Sequence, residues 1–198
     1  MSSHYSKAFD PKTMVSWSNR SADSIINVAQ DRDIILIYSG MSGVNHAAYI
    51  TSAIFTKYGK VCHQAYIRKN NEKSHGLPIE TDTNITILEH PLLVFVDDFI
   101  SSGTSMLYCV RSLIETNELN LTDTDELLIC AEADYCYGTE FFRRFKNIES
   151  YNPIIVTIKD LVMFTKFSLK HSTFYTSKKE YRAWSKYRKM YRINHVNS

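Results

Sequence analysis

The sequence predicts an α/β domain with a mainly parallel sheet flanked by helices. Short β-branched apolar runs alternate along the chain with segments of helical periodicity. Glycine, serine or acidic residues punctuate the runs. A composition 44% hydrophobic and 22% charged supports a sizeable buried core. The 198 residues fit one domain, 1–198, with a core over about residues 20–160. A helix-rich, basic extension follows over about residues 160–198.

Taken in order, Ser21–Gln30 reads as a short helix with Ser21 as its N-cap. Ile34–Tyr38 is an apolar run too short for a buried helix, and so a strand. In His46–Tyr58 the residues Ala47, Ile50, Ile54 and Tyr58 share a helical face, and Gly59 supplies the stop. Val61–Ile67 is a strand, and Arg68–Pro78 a polar loop. Asn84–Leu88 gives a short strand and Leu92–Val96 a fully apolar one. Gly103–Asn117 is helical, with Met106, Val110, Leu113 and Ile114 on one face. Leu127–Ala131 and Ile154–Ile158 complete the strands, with a short helix at Glu140–Phe145 between them.

Composition narrows the class further. No run of about 18 apolar residues occurs, so no membrane-spanning helix is expected. Met1–Lys7 lacks an apolar signal core and reads as a cytoplasmic start. Cys62, Cys109, Cys130 and Cys136 form no C-x-x-C pair, which fits reduced thiols rather than a zinc site. Net charge is only +2, yet Lys166–Ser198 holds nine Lys/Arg against the single acid Glu180. The chain is thus an acidic body with a basic tail.

Most of the chemistry lies in Leu92–Ser105 (LLVFVDDFISSGTS). An apolar strand ends in two carboxylates, then passes through hydroxyl residues and a glycine into a helix. Backbone N–H groups at a helix N-terminus attract a phosphate, and Ser101, Ser102, Thr104 and Ser105 add hydroxyl donors. Gly103 allows close backbone approach. Asp97 and Asp98 can accept hydrogen bonds from vicinal ribose hydroxyls. A sugar phosphate therefore reconciles the acids with the anion cradle. The segment lacks G-x-x-x-x-G-K-[ST] and is not a P-loop.

Val94–Ser105 resembles the phosphoribosyl pyrophosphate (PRPP) motif of type I phosphoribosyltransferases. The resemblance implies that family's α/β fold with a small hood, transfer of the phosphoribosyl group to a nitrogenous base, and release of pyrophosphate. It assigns the 5-phosphate to Ser101, Ser102, Gly103, Thr104 and Ser105, and the ribose to Asp97 and Asp98. It also implies Mg²⁺, held by PRPP and reached from Asp97 or Asp98 through water, with no ligand from the protein directly.

Two further loops extend the likeness. Ser39–Gly43 (SGMSG) occupies the place of the family's pyrophosphate loop, implicating Gly40, Met41, Ser42 and Gly43. Tyr66–Gly76 (YIRKNNEKSHG) is similar to the flexible loop of orotate phosphoribosyltransferases, in which Arg68, Lys69, Lys73 and His75 would close over pyrophosphate. In that group the loop lysine and histidine serve the neighbouring subunit, which implies a homodimer and makes Lys73 and His75 catalytic. The spacer from Lys69 to Lys73 is one residue longer than in that group, and Leu77-Pro78 replaces its glycine-rich continuation.

Hypoxanthine/guanine enzymes carry an acid where this chain has Ser101. Orotate-like pyrimidine is thus the favoured base, with adenine-type purine transfer an alternative. Asp134–Gly138 (DYCYG) faintly resembles the base-contacting turn of the purine enzymes, and hood residues would come from Tyr5–Gln30 or from beyond Tyr151. Lys178–Arg192 interleaves cations with Tyr181, Trp184, Tyr187 and Tyr191, a pattern suited to nucleic acid. A second alternative is therefore a PRPP- or nucleotide-sensing regulator of the same fold.

Overall fold

The computed structural model describes residues 10–68, 79–81, 85–98, 104–115, 125–131 and 154–157. Its elements are α1 (Pro11–Ala29), β1 (Ile34–Tyr38), α2 (Gly40–Tyr58), β2 (His63–Ile67) and β3 (Ile79–Thr81). After a 3₁₀ turn at Ile85–Ile87 come β4 (Leu92–Asp97), α3 (Thr104–Glu115), β5 (Glu126–Ala131) and β6 (Ile154–Thr157). They form a six-stranded sheet in the order β3-β2-β1-β4-β5-β6. The four central strands are parallel, whereas β3 and β6 pair antiparallel at the edges. The expected α/β class and mainly parallel sheet are both present.

Strand alternation divides the core between two faces. Ile34, Leu36, Tyr38, Leu92, Val94, Val96 and Leu128 pack with Trp17, Ala22 and Ile25 of α1 and Ala47, Ile50 and Ile54 of α2. Residues of the opposite parity, Ile35, Ile37, Leu93, Phe95, Leu127 and Ile129, are equally buried. Helix α3 contacts β1 and buries Met106, Cys109, Val110 and Leu113. Burial on both faces explains why these strands read as continuous apolar runs.

Three expectations are corrected, the first being helix α2, which begins at Gly40 rather than His46, so that most of the Ser39–Gly43 turn is already helix. Helix α1 begins at Pro11, ten residues before Ser21, because Asp10 caps it by accepting from the Thr13 N–H at 2.8 Å and Pro11 opens it. Ser21 is a buried residue inside that helix, not a cap. Asn84–Leu88 is no strand among the described residues. Ile85 is buried while Ile87 is 76% exposed, which a period of two would forbid. The helix expected at Glu140–Phe145 and the C-terminal extension lie outside the described residues. Among those described, no helix is long and apolar enough to cross a membrane.

Candidate functional site

The strand order creates one place where neighbouring crossovers diverge. From β1 the chain passes through α2 to β2, and from β4 through α3 to β5, on opposite sides of the β1–β4 pair. Open α/β sheets bind ligands in the crevice at such a switch point, beyond the strands' C-terminal ends. The parallel register, Ile37 opposite Phe95, brings the loop after Tyr38 beside Asp97 and Asp98. Two segments far apart in sequence therefore share one edge.

The β1–α2 junction is tightly built. Gly40 has φ +72°, in the left-handed region that favours glycine. A Cβ at Gly43 would stand 3.0 Å from Tyr38 Cβ and 3.3 Å from the Val96 carbonyl oxygen, so only glycine lets α2 approach the sheet this closely. Ser39 holds the N-cap position but makes no side-chain cap bond. Its buried Oγ has no partner among the described residues. The α2 N-terminus thus keeps uncapped N–H donors, the means by which a helix end takes an anion.

Asp97 is the electrostatic centre. Its Oδ1 accepts from Ser42 Oγ at 3.1 Å and from the Asp98 N–H at 2.9 Å. Burial first, and the adjoining Asp98 carboxyl second, push the Asp97 carboxyl up to about 7. The cause is physical: a partly desolvated charge lies beside a second acid, and no Lys or Arg among the described residues pairs with either. Asp98 is only 7% exposed. Such an acid pair suits a ligand that brings hydroxyl donors or a cation.

At the end of β2, Arg68 pairs with Glu80 of β3, and its guanidinium lies 5.9 Å from the Tyr66 ring centroid. The Arg68 carbonyl accepts from Tyr108 Oη of α3 at 2.9 Å. Tyr66 in turn sits 5.8 Å from Tyr38, ring to ring. The root of the 69–78 segment is thus tied to both the sheet edge and the helix that follows the acidic motif.

Of the residues singled out in the sequence, Gly40, Met41, Ser42 and Gly43 form the first turn of α2, and Asp97 and Asp98 end β4. Thr104 and Ser105 open α3, with Ser105 exposed. Ser42 and Asp97 are brought into contact. Met41 is 76% exposed. Lys69, Lys73, His75, Ser101, Ser102 and Gly103 lie outside the described residues. Sequence reasoning missed Ser39, Tyr66, Glu80, Tyr108 and His46. Ser39 and Tyr66 stand first in the two loop segments without a role of their own, Glu80 and Tyr108 join the site only through packing against Arg68, and His46 meets Ser42 one helical turn away. Burial pushes the Cys62 and Cys130 thiols up to about 11, which suits inert core cysteines.

No family model and no curated protein matches the chain. Similar solved structures include an orotate phosphoribosyltransferase from Francisella tularensis, with 18% identity and a TM-score of 0.42 over 55% of this chain and 47% of that one. A hypoxanthine-guanine phosphoribosyltransferase from Bacillus anthracis shows 16% identity and a TM-score of 0.41, covering 62% and 66%. An adenine phosphoribosyltransferase from Trypanosoma brucei, in complex with AMP, pyrophosphate and ribose-5-phosphate, shows 18% and 0.43, covering 61% and 54%. The chain thus matches less than two thirds of the length of each. Likeness of this extent decides neither activity nor substrate, which must come from the side chains.

Proposed function

We propose that the chain is a phosphoribosyltransferase that binds PRPP at the β1–β4 switch point and passes its phosphoribosyl group to a base, an orotate-like pyrimidine, releasing pyrophosphate. The observation that carries this reading is the Ser42–Asp97 hydrogen bond. It joins two loops, each suited by its own sequence to one end of PRPP. In this reading Asp97 and Asp98 orient the ribose hydroxyls, and Ser101–Ser105 hold the 5-phosphate. The N–H groups of Gly40–Gly43 receive pyrophosphate. Arg68, Lys69, Lys73 and His75 close over it, the last two from the partner of a homodimer.

The residues fit Mg²⁺. Asp97 and Asp98 offer hard carboxylate oxygens that lack a cationic partner among the described residues, and a hydrated Mg²⁺ needs only one or two such groups beside the phosphates. When bound, the ion supplies charge neutralisation for departing pyrophosphate. The chain's own work is positional: it fixes the ribose, holds the phosphates and excludes water while positive charge grows at the anomeric carbon.

The test is pyrophosphate release from PRPP with Mg²⁺ and a panel of bases. Turnover with orotate is expected, and absence of turnover with every base would sink the enzyme reading. The basic tail favours a second reading, a PRPP-sensing regulator that grips nucleic acid through Lys178–Arg192. PRPP binding without turnover, together with salt-dependent RNA binding lost on removing the tail, would select it.

A further inference from the structure

His46, which no motif flags, is fully buried one helical turn beyond Ser42. Its Nδ1 lies 2.8 Å from the Ser42 carbonyl oxygen. A carbonyl can only accept, so Nδ1 carries the proton and Nε2 is left with a lone pair. That Nε2 is buried and has no partner among the described residues. The Trp17 ring of α1 meets the imidazole edge-on, centroids 4.8 Å apart at 77°, which holds the ring plane. Burial lowers the His46 pKa, consistent with a neutral ring.

Burying an imidazole with one bare nitrogen is unfavourable where an apolar side chain would fill the same space. The compensating contact is the one to Ser42, whose Oγ reaches Asp97. A chain of contacts thus runs from Trp17 through His46 and Ser42 to Asp97. Gly43, pressed against Tyr38 and Val96, closes the same turn from beneath.

We propose that His46 is a positioning residue for PRPP binding: its Nδ1–H anchors the Ser42 carbonyl and so aims the Ser42 hydroxyl at Asp97. The inference rests on the PRPP reading of the site. It assigns His46 no contact with the ligand. The first turn of α2 is then set from inside the core, and Asp97 meets the ligand already oriented.

The test combines a double-mutant cycle with an NMR readout of the His46 tautomer. His46→Leu keeps bulk but loses the donor, and should weaken PRPP binding with Mg²⁺ about tenfold, the worth of one hydrogen bond. His46→Asn restores a donor near the Nδ1 position and should recover most of that loss. On a Ser42→Ala background, His46→Leu should cost little more, because its effect passes through Ser42. Full additivity in the cycle, or wild-type affinity in His46→Leu, would overturn the proposal. Imidazole ¹⁵N shifts of the unmutated protein should show a protonated Nδ1 and a bare Nε2, and the opposite tautomer also refutes it. If the unmutated chain binds no PRPP, the function proposed above has failed. The tautomer, together with the stability lost in His46→Leu and recovered in His46→Asn, then still decides the His46–Ser42 link.

Discussion

The two ends of the sheet are built on opposite terms. At the N-terminal ends of the parallel strands, polar groups are paired. Arg32 donates to the carbonyls of Val28 and Ala29 and meets Glu126 at 2.7 Å. His90 lies 3.0 Å from the buried Asp125, and Lys60 donates to the Gln30 carbonyl. At the C-terminal ends, Ser39 Oγ and His46 Nε2 lack partners among the described residues. There Asp97 resists ionisation and Gly40 takes a left-handed backbone. The first end spends its polar groups on the fold, while the second, beside its Arg68–Glu80 and Ser42–Asp97 contacts, keeps two buried atoms without partners among the described residues. Stability and ligand capacity are thus divided between opposite edges of one sheet.

The division can be broken most severely at Gly43. Gly43→Val should destabilise the protein by about 3 kcal/mol in urea unfolding, since its side chain would meet Tyr38 Cβ and the Val96 carbonyl rather than flexible atoms. PRPP binding should fall with it.

Asp97→Asn separates the two properties. The Asp97 carboxyl has a raised pKa in the folded protein, so its contribution to stability is full below about pH 4 and is lost as pH rises toward 7. Removing the charge should raise stability at pH 7 by about 2 kcal/mol and flatten that part of the stability–pH curve. It should also weaken PRPP binding at least tenfold. A stabilised variant that still binds PRPP normally would show that Asp97 does not serve the ligand.

The smallest effect belongs to the opposite edge. Glu126→Gln removes one partner of a partly exposed ion pair and should cost about 0.5 kcal/mol, less at high salt. PRPP affinity should stay unchanged in titration calorimetry. A loss of affinity there would mean that the two ends are coupled.

Strands were legible in the sequence because burial on both faces leaves unbroken apolar runs such as Ile34–Tyr38 and Leu92–Val96. The first half of α1 was not. Its buried face holds only Met14, Trp17 and Ser18, and Ser18 Oγ satisfies itself on the Val15 carbonyl at 3.0 Å, so a hydroxyl interrupts the apolar marking of a core face. At the site, each loop was readable alone, since small residues and paired acids state their purpose locally. Their meeting was not, because Ser42 and Asp97 touch only through the β1–β4 pairing. The partners of Arg68 were hidden for the same reason, as Glu80 joins it across an antiparallel edge.

That pairing has a kinetic side. Helix α1, β1, α2 and β2 are contiguous, and their contacts close over short loops. Strand β4 must enter beside β1 across the intervening α2, β2 and β3, which costs more chain entropy and is slower. Ser42 meets Asp97 only once that insertion is made. The β1–β4 pairing at the centre of the sheet and the Ser42–Asp97 contact therefore depend on the same insertion. A chain without that pairing has no Ser42–Asp97 contact to offer a ligand.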